Sequence, residues 1–147
     1  MSNKFPLSQK YIDFINTTNV SAEFLEGTTA SGKTTVGAGV KFMRMVSQSP
    51  KKLHAIAAKT TGKAEETIIQ QDNGILDLHR NAVYCGNGDK DYKLPHIKFE
   101  DKIIYILGYS SRDKWEMVLG AQFGCVYIDE INTADIEFIR ELSLIHI

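Results

Sequence analysis

Eight consecutive residues carry the clearest chemical pattern in this sequence. They read Gly27-Thr28-Thr29-Ala30-Ser31-Gly32-Lys33-Thr34 and match G-x-x-x-x-G-K-[ST] at every fixed position. Glycines at these positions let successive backbone N–H groups turn inward and form a nest for anionic oxygens. Lys33 is predicted to reach the β- and γ-phosphates, Thr34 to bind Mg²⁺, and Thr35 to contact the α-phosphate. The pattern therefore predicts a nucleotide site for ATP and Mg²⁺.

Two adjacent carboxylates follow an apolar run near the other end of the chain. Residues 125–128 predict a buried strand, and Asp129 and Glu130 come directly after it. Open α/β sheets bind their ligands at the carboxyl ends of strands. Asp129 is predicted to hold the Mg²⁺ shell, and Glu130 to orient and deprotonate the water that attacks the γ-phosphate. Such a pair is weak evidence by itself, because helix N-termini also favour acids. After a phosphate loop it indicates a Walker B motif and ATP hydrolysis.

Strands and helices alternate along the chain in a way that can position both motifs. The predicted strands are residues 21–26, Leu53–Ala58, Ala82–Cys85, His96–Phe99, 102–107 and 125–128. The predicted helices are residues 10–15, 33–46, 62–80 (with a break at Asn73-Gly74), 113–119 and 134–141. This alternation predicts an α/β fold with parallel strands. Together with the motifs it indicates a P-loop NTPase three-layer sandwich with a mostly parallel central sheet, of the additional-strand, catalytic-glutamate type.

Length and composition exclude several other classes of protein. The chain has 147 residues, enough for one domain, and a net charge of -1, so no long-range basic field indicates nucleic-acid binding. We expect no membrane helix and no signal peptide, and therefore a cytoplasmic protein. Cys85 and Cys125 are 40 residues apart and the four histidines show no ligand spacing, which argues against disulfides and zinc. His96 is expected to be structural, and both cysteines to be ordinary buried thiols.

With both motifs in place, the sequence resembles the ATPase domain of the large terminase subunit, the DNA-packaging motor of tailed bacteriophages. The likeness covers most of residues 5–140, and the patches that carry it are residues 26–34, 55–59, 108–114 and 119–124. The resemblance implies a homo-oligomeric ring that docks on the portal protein of the procapsid. It also implies a small terminase subunit as partner and double-stranded phage DNA as substrate, in the cytoplasm of an infected bacterium. A nuclease domain of the RNase-H type, absent from this sequence, is expected to follow in the full-length protein.

One position departs from the family pattern. Many members carry an arginine inside the phosphate loop that can act as an arginine finger in cis, where this sequence has Ala30. Alanine cannot stabilise transition-state charge, a role worth about 10³-fold or more in rate. The substitute could come from a neighbouring subunit, from Arg112 or from Lys114, and the sequence leaves these alternatives open. Arg112 and Lys114 are also predicted to contact phosphate or DNA.

Several residues allow both a functional and a structural interpretation. The amide of Gln9 could recognise the adenine edge, because it offers both a donor and an acceptor; the alternative is an exposed polar residue. Tyr11 and Phe14 could stack on adenine, although aromatic residues at helical spacing are more often core contacts. The lysines at positions 51, 52, 59 and 63 could contact DNA phosphates, but a solvated surface is the simpler expectation.

The last six residues, 142–147, differ in character from the helical pattern before them. They look like a translated sequencing adapter, and the alternative is an ordinary apolar strand. We therefore expect a partial ATPase domain at 1–141 and a natural chain that continues further. Two other functions remain open: a helicase or other P-loop ATPase, and an accessory module that binds nucleotide without turnover.

Overall fold

The computed structural model describes residues 9–16, 32–110 and 121–130. Three predicted elements lie outside these ranges: the strand at 21–26 and the helices at 113–119 and 134–141. The tail at 142–147 also lies outside them. Within the described ranges the predicted strands and helices are present. Three strands have the predicted ends, and the ends of the other elements differ from the prediction by a few residues.

The helices form three groups along the chain. Helix α1 is Gln9–Asn16. The helix after Gly32 begins at Lys33, widens into a π-helical segment at Thr35–Phe42 (π1), and continues as α2, Met43–Gln48. The third group is α3, Thr61–Ala64, its π-helical continuation π2, Glu65–Ile69, and after a turn α4, Ile75–Leu78.

The break predicted at Asn73-Gly74 is present, but it begins earlier. The helix ends at Ile69, and a tight turn follows in which Gly74 N–H donates to the Gln71 carbonyl at 2.8 Å. Asn73 has a φ of +60°, in the left-handed region that asparagine tolerates better than most residues. The predicted helix of residues 62–80 is therefore two shorter helices.

Five described strands form one sheet. They are β1, Leu53–Ala58; β2, Ala82–Cys85; β3, His96–Phe99; β4, Lys102–Gly108; and β5, Val126–Ile128. Their order across the sheet is β2-β3-β4-β1-β5. Strand β1 pairs in parallel with both β4 and β5, while β2, β3 and β4 pair antiparallel. The antiparallel edge follows from the chain itself, since a two-residue connection at Glu100-Asp101 can only join antiparallel strands.

Strands β1 and β4 are buried along almost their whole length, as their continuous apolar sequences predict, and β5 is half-buried. Ile56 and Ala58 of β1 and Ile104 and Ile106 of β4 pack against the helices. The helix side of this core includes Ala38, Phe42, Met43, Val46, Ala64, Ile68, Ile69 and Ile75. The opposite face is a smaller cluster of Ala55, Ala57, Leu107, Tyr109 and Phe123. The fold is thus an α/β sandwich of P-loop type with a parallel centre, as predicted.

His54 joins β1 to the segment that leads into β5. Its side chain is completely buried, with Nε2 3.0 Å from the Lys51 carbonyl oxygen and Nδ1 accepting the Cys125 backbone N–H at 2.9 Å. A carbonyl can only accept, so Nε2 carries the proton and the ring is neutral. Burial lowers the pKa of His54, and the Lys102 charge adds to that effect. Gly124 lies directly against this ring, because a Cβ there would be 2.7 Å from His54 Cε1.

Candidate functional site

The parallel strands end at one common edge of the sheet. Beyond β4 the Tyr109 N–H donates to the Ala58 carbonyl at 2.9 Å, and beyond β5 the Asp129 N–H donates to the Ala57 carbonyl at 2.8 Å. Two backbone hydrogen bonds to β1 therefore fix the first residue after β4 and the first residue after β5. The edge predicted to bind ligand is the place where these chain ends meet.

The described end of the predicted phosphate loop has a left-handed glycine followed by a helix, as the motif predicts. Gly32 has a φ of +83°, which a residue with a side chain rarely adopts, and its carbonyl accepts the Val36 N–H at 3.0 Å. The helix then begins at Lys33. A Cβ on Gly32 would lie 3.8 Å from Tyr11 Cε2, so α1 packs against this turn. Residues 27–31 of the predicted loop, among them Ala30, lie outside the described residues.

Lys33 and Asp129 lie close enough for their charges to interact. Burial raises the pKa of the Asp129 carboxyl and the neighbouring Glu130 adds to this rise, while Lys33 and Lys63 oppose it. Two residues predicted from separate motifs are thus brought together. The half-buried carboxylate also fits a cation site, since a divalent ion would offset the burial that disfavours its charged form.

Thr34 is bonded to β5, the strand that leads into Asp129. Its hydroxyl is hydrogen-bonded to the phenol of Tyr127, two residues before Asp129 and on the same face of β5. Burial, together with the Asp129 charge, raises the pKa of Tyr127 to about 12 against the effect of that bond. The Tyr127 ring also contacts Phe42 of π1 edge-on, with centroids 6.2 Å apart. These contacts fix the helix after the phosphate loop against β5.

The turn after β5 has an unusual backbone. Glu130 has a φ of +51°, and its side chain is exposed. The Tyr109 hydroxyl lies 3.2 Å from the Asp129 carbonyl oxygen and 3.2 Å from that of Glu130, and can donate its one proton to either. A glutamate in the left-handed region costs about 1–2 kcal/mol, and such strain is concentrated at functional sites. The Tyr109 hydroxyl therefore contacts the backbone of the turn that carries Glu130, a contact that no pattern in the sequence indicated.

Lys63 is a second cation at the site, where the sequence favoured a solvated surface. It lies in α3, directly after β1, and its charge acts on Asp129. Thr60 caps this helix, because its Oγ1 accepts the Lys63 backbone N–H at 3.0 Å. Any residue in the first turn after β1 is close to the carboxyl edge, which is the signal that could have identified Lys63.

The first helix gives a mixed outcome for its predicted roles. Gln9 is exposed, and its amide donates to Asp13 Oδ1 at 2.8 Å, so recognition of adenine stays a prediction. Phe14 lies under the ammonium of Lys41, 4.1 Å from the ring centroid, and its carbonyl accepts from the same ammonium at 2.7 Å. Phe14 thus makes a structural contact with Lys41, and its stacking on adenine stays a prediction.

The roles predicted for Thr35, Arg112 and Lys114 stay predictions. Thr35 is the first residue of π1 and is half-buried. Arg112 and Lys114 lie outside the described residues. Among the described helices, none has the length and apolar character needed to cross a bilayer.

The parallel centre, the left-handed glycine before a helix and the acidic turn at the strand ends define an α/β fold of the P-loop type. The same fold occurs in a large terminase from a thermophilic bacteriophage, with a TM-score of 0.67 and 18% sequence identity. The match covers 95% of this chain and 36% of that one, so the chain spans about a third of that protein's length. No protein-family model matches the sequence, and the comparison with curated proteins finds no match.

Proposed function

We propose that this chain is the ATPase module of a phage large terminase and hydrolyses ATP with Mg²⁺. The observation that carries the proposal is the approach of Lys33 to Asp129, which pairs the cation of the phosphate loop with the acid at the end of β5. These residues come from two motifs far apart in sequence, and the fold places them at one edge. The likeness in fold to a large terminase supports the terminase part of the proposal.

Each residue has a role that follows from its chemistry. The loop from Gly27 to Gly32 would hold the phosphates through its N–H groups, and Lys33 would add a positive charge at the β- and γ-phosphates. Thr34 and Asp129 would hold Mg²⁺, whose charge would offset that of the phosphates. A Thr34 hydroxyl that donates to Tyr127 keeps its lone pairs for the ion.

Glu130 would act on the water that attacks the γ-phosphate. Its carboxylate is exposed at the strand ends, so it can meet solvent water, and its backbone is held by Tyr109. A general base must lie within hydrogen-bond reach of the proton that it takes. The left-handed turn fixes the direction in which this side chain leaves the sheet.

Lys63 offers a further source for the charge that Ala30 cannot supply. Its charge acts on Asp129, the proposed Mg²⁺ ligand, so Lys63 lies near the proposed site. We include it beside Arg112, Lys114 and a neighbouring subunit. Lys63→Ala should lower the turnover number more than it lowers the affinity for Mg·ATP, because a transition-state contact acts mainly on turnover.

The wider assembly is proposed from the resemblance and the shared fold. In this proposal the chain acts in a ring on the portal protein, with the small terminase subunit, and moves double-stranded DNA in the bacterial cytoplasm. Gln9 would contact adenine, and Arg112 and Lys114 would contact phosphate or DNA. Stimulation of ATP turnover by double-stranded DNA would distinguish this motor from an accessory module.

The decisive experiment measures Mg·ATP binding and ATP hydrolysis in matched variants. Lys33→Ala should lose binding, and Glu130→Gln should keep binding and lose turnover. Glu100→Gln is the control, because Glu100 is also exposed and has a φ of +57°, but lies at the β3–β4 turn, where it accepts from Ser47. This control should behave as the wild type in both assays. Unchanged binding in Lys33→Ala would overturn the proposed site.

A further inference from the structure

Three potential metal ligands meet at the antiparallel edge of the sheet, away from the proposed nucleotide site. Cys85 of β2 and His96 of β3 are direct cross-strand partners, and Asp89 lies in the loop between them. The Cys85 sulfur, an Asp89 carboxylate oxygen and a His96 ring nitrogen all lie within 4.8 Å of one another. Because Ile97 and Phe99 face the helix-side core, alternation places His96 on the opposite face of β3.

His96 presents a buried nitrogen that has no hydrogen-bond partner. The side chain is completely buried, and Nδ1 lies 2.8 Å from the Leu94 carbonyl oxygen, to which it must donate. In the neutral ring Nε2 is then a pure acceptor, and it makes no hydrogen bond. Asp89 Oδ2, also an acceptor, lies 3.4 Å from it. Two acceptors that face each other at this distance need a cation or a proton between them.

The geometry points to a binding site for a divalent transition-metal ion of the zinc class, with Cys85, Asp89 and His96 as ligands. Sulfur, imidazole nitrogen and carboxylate oxygen together suit Zn²⁺ better than Mg²⁺ or Ca²⁺, which prefer oxygen. Three protein ligands leave a fourth tetrahedral position for water. Metal-bound histidines characteristically donate their other N–H to a carbonyl or carboxylate, as His96 does to Leu94.

The carboxylate is already oriented for this role. Asp89 Oδ1 accepts the backbone N–H groups of Asp91 at 2.9 Å and Tyr92 at 2.7 Å, so Oδ2 is the oxygen that faces His96. In a tetrahedral site with bonds of about 2.1 Å, neighbouring ligand atoms lie about 3.4 Å apart. The separation of His96 Nε2 from Asp89 Oδ2 matches that value, and the Cys85 sulfur lies within 4.8 Å of the other two ligand atoms.

Lys98 competes with the metal for the same carboxylate. Its Nζ lies 2.6 Å from Asp89 Oδ2, and this ammonium holds the pKa of Asp89 well below its usual range. The Lys98 side chain is 46% exposed, so it can move into solvent when a metal binds. A metal ion must therefore displace a cation, and removal of Lys98 should strengthen metal binding. A merely structural Lys98–Asp89 ion pair predicts no such gain.

The test is titration of the 147-residue chain with Co²⁺, which reports thiolate ligation through a charge-transfer band, followed by displacement with Zn²⁺. We expect one ion per chain. Cys85→Ser should abolish the band and weaken Zn²⁺ binding at least about tenfold, and Asp89→Asn should weaken it similarly. Cys125→Ser is the matched control, since Cys125 is the other cysteine of the chain and directly precedes β5, at the opposite edge of the sheet from β2. This variant should keep the Co²⁺ band and the wild-type affinity for Zn²⁺.

Lys98→Met gives an outcome that does not depend on losing a ligand. It should bind Zn²⁺ more tightly than the wild type, and Zn²⁺ should raise the melting temperature of both proteins but not that of Cys85→Ser. The proposal is overturned if the wild type gives no thiolate band with equimolar Co²⁺, or if Cys85→Ser keeps the band. It is also overturned if Lys98→Met binds Zn²⁺ no better, which would indicate that the metal does not take Asp89 Oδ2 from Lys98. None of these results depends on ATP binding, so the two proposals can fail separately.

Discussion

Replacement of Tyr109 by phenylalanine tests whether one hydroxyl holds the turn that carries Glu130. The phenol has a single proton, and the carbonyl oxygens of Asp129 and Glu130 both lie 3.2 Å away. This distance is long for an O–H donor, but the proton has two acceptors to choose from, so we assign the shared bond a middle value of the usual range, about 1 kcal/mol. The left-handed conformation of Glu130 costs about 1–2 kcal/mol, so the bond offsets much of this strain.

The expected effect follows from these two magnitudes. Loss of about 1 kcal/mol shifts the equilibrium of the turn about fivefold toward relaxed conformations, in which the Glu130 carboxylate leaves its position. The free energy of unfolding of Tyr109→Phe should fall by about 1 kcal/mol. ATP turnover should fall by at most about fivefold, since the population of the held turn cannot fall by more than the shift in its equilibrium. The affinity for Mg·ATP should change by less than about twofold, because Tyr109 contacts the turn and not the proposed phosphate site.

The assays separate structure from activity. Exchange of the Asp129 amide hydrogen, which is bonded to the Ala57 carbonyl, should become faster in Tyr109→Phe. Tyr105→Phe is the control, because Tyr105 lies within β4, and its ring contacts Tyr92 and Phe123. The reasoning is refuted if Tyr109→Phe exchanges and turns over as the wild type does, or if it loses affinity while turnover is unchanged.

Three further predictions concern the stability of the edge that carries the site. Gly124→Ala places a Cβ 2.7 Å from the buried His54 ring and should lower the free energy of unfolding, measured by urea denaturation, by about 1–3 kcal/mol. The control Gly62→Ala has nothing within 4 Å of the new methyl and should leave this free energy unchanged or raise it. Because burial lowers the pKa of His54, the unfolded chain takes up a proton at a higher pH than the folded chain does. The free energy of unfolding should therefore fall as the pH drops below about 6.5, by at most about 1.4 kcal/mol per pH unit. A His54→Gln variant should lose this part of the pH dependence. Because burial raises the pKa of Asp129, the folded state resists ionisation of this carboxyl, and stability is lost as the pH rises through the raised pKa. Asp129→Asn should therefore melt at a higher temperature than the wild type at pH 7 and lose Mg·ATP binding. A lower melting temperature would contradict this.

Local patterns were enough to predict most of the fold. The strands Leu53–Ala58, Ala82–Cys85 and His96–Phe99 are found with the predicted ends, because each is a short apolar or alternating run between turn residues. The approach of Lys33 to Asp129 was also predictable, since both motifs belong at the carboxyl edge. The antiparallel edge could have been deduced from the two-residue turn at Glu100-Asp101.

Contacts set by the register of distant segments could not be predicted in this way. His54 bonds to a backbone group 71 residues away, and the bond exists only because β5 pairs with β1. Cys85 and His96 have no recognisable ligand spacing, because the loop between them is closed by cross-strand pairing and not by a local turn. Spacing rules detect ligands on one element or one tight loop, so they miss a cluster that two strands assemble.

Strand β1 contributes no side chain to the proposed site, and yet its carbonyl groups hold both flanking turns in place. The bonds from Tyr109 to Ala58 and from Asp129 to Ala57 involve main-chain atoms only, so they impose no condition on residue identity beyond size. The distance between the two turns is therefore set by the peptide backbone, which substitution of side chains does not alter. A lineage can replace nearly every side chain around such an edge and retain its dimensions, as a shared fold at 18% identity requires.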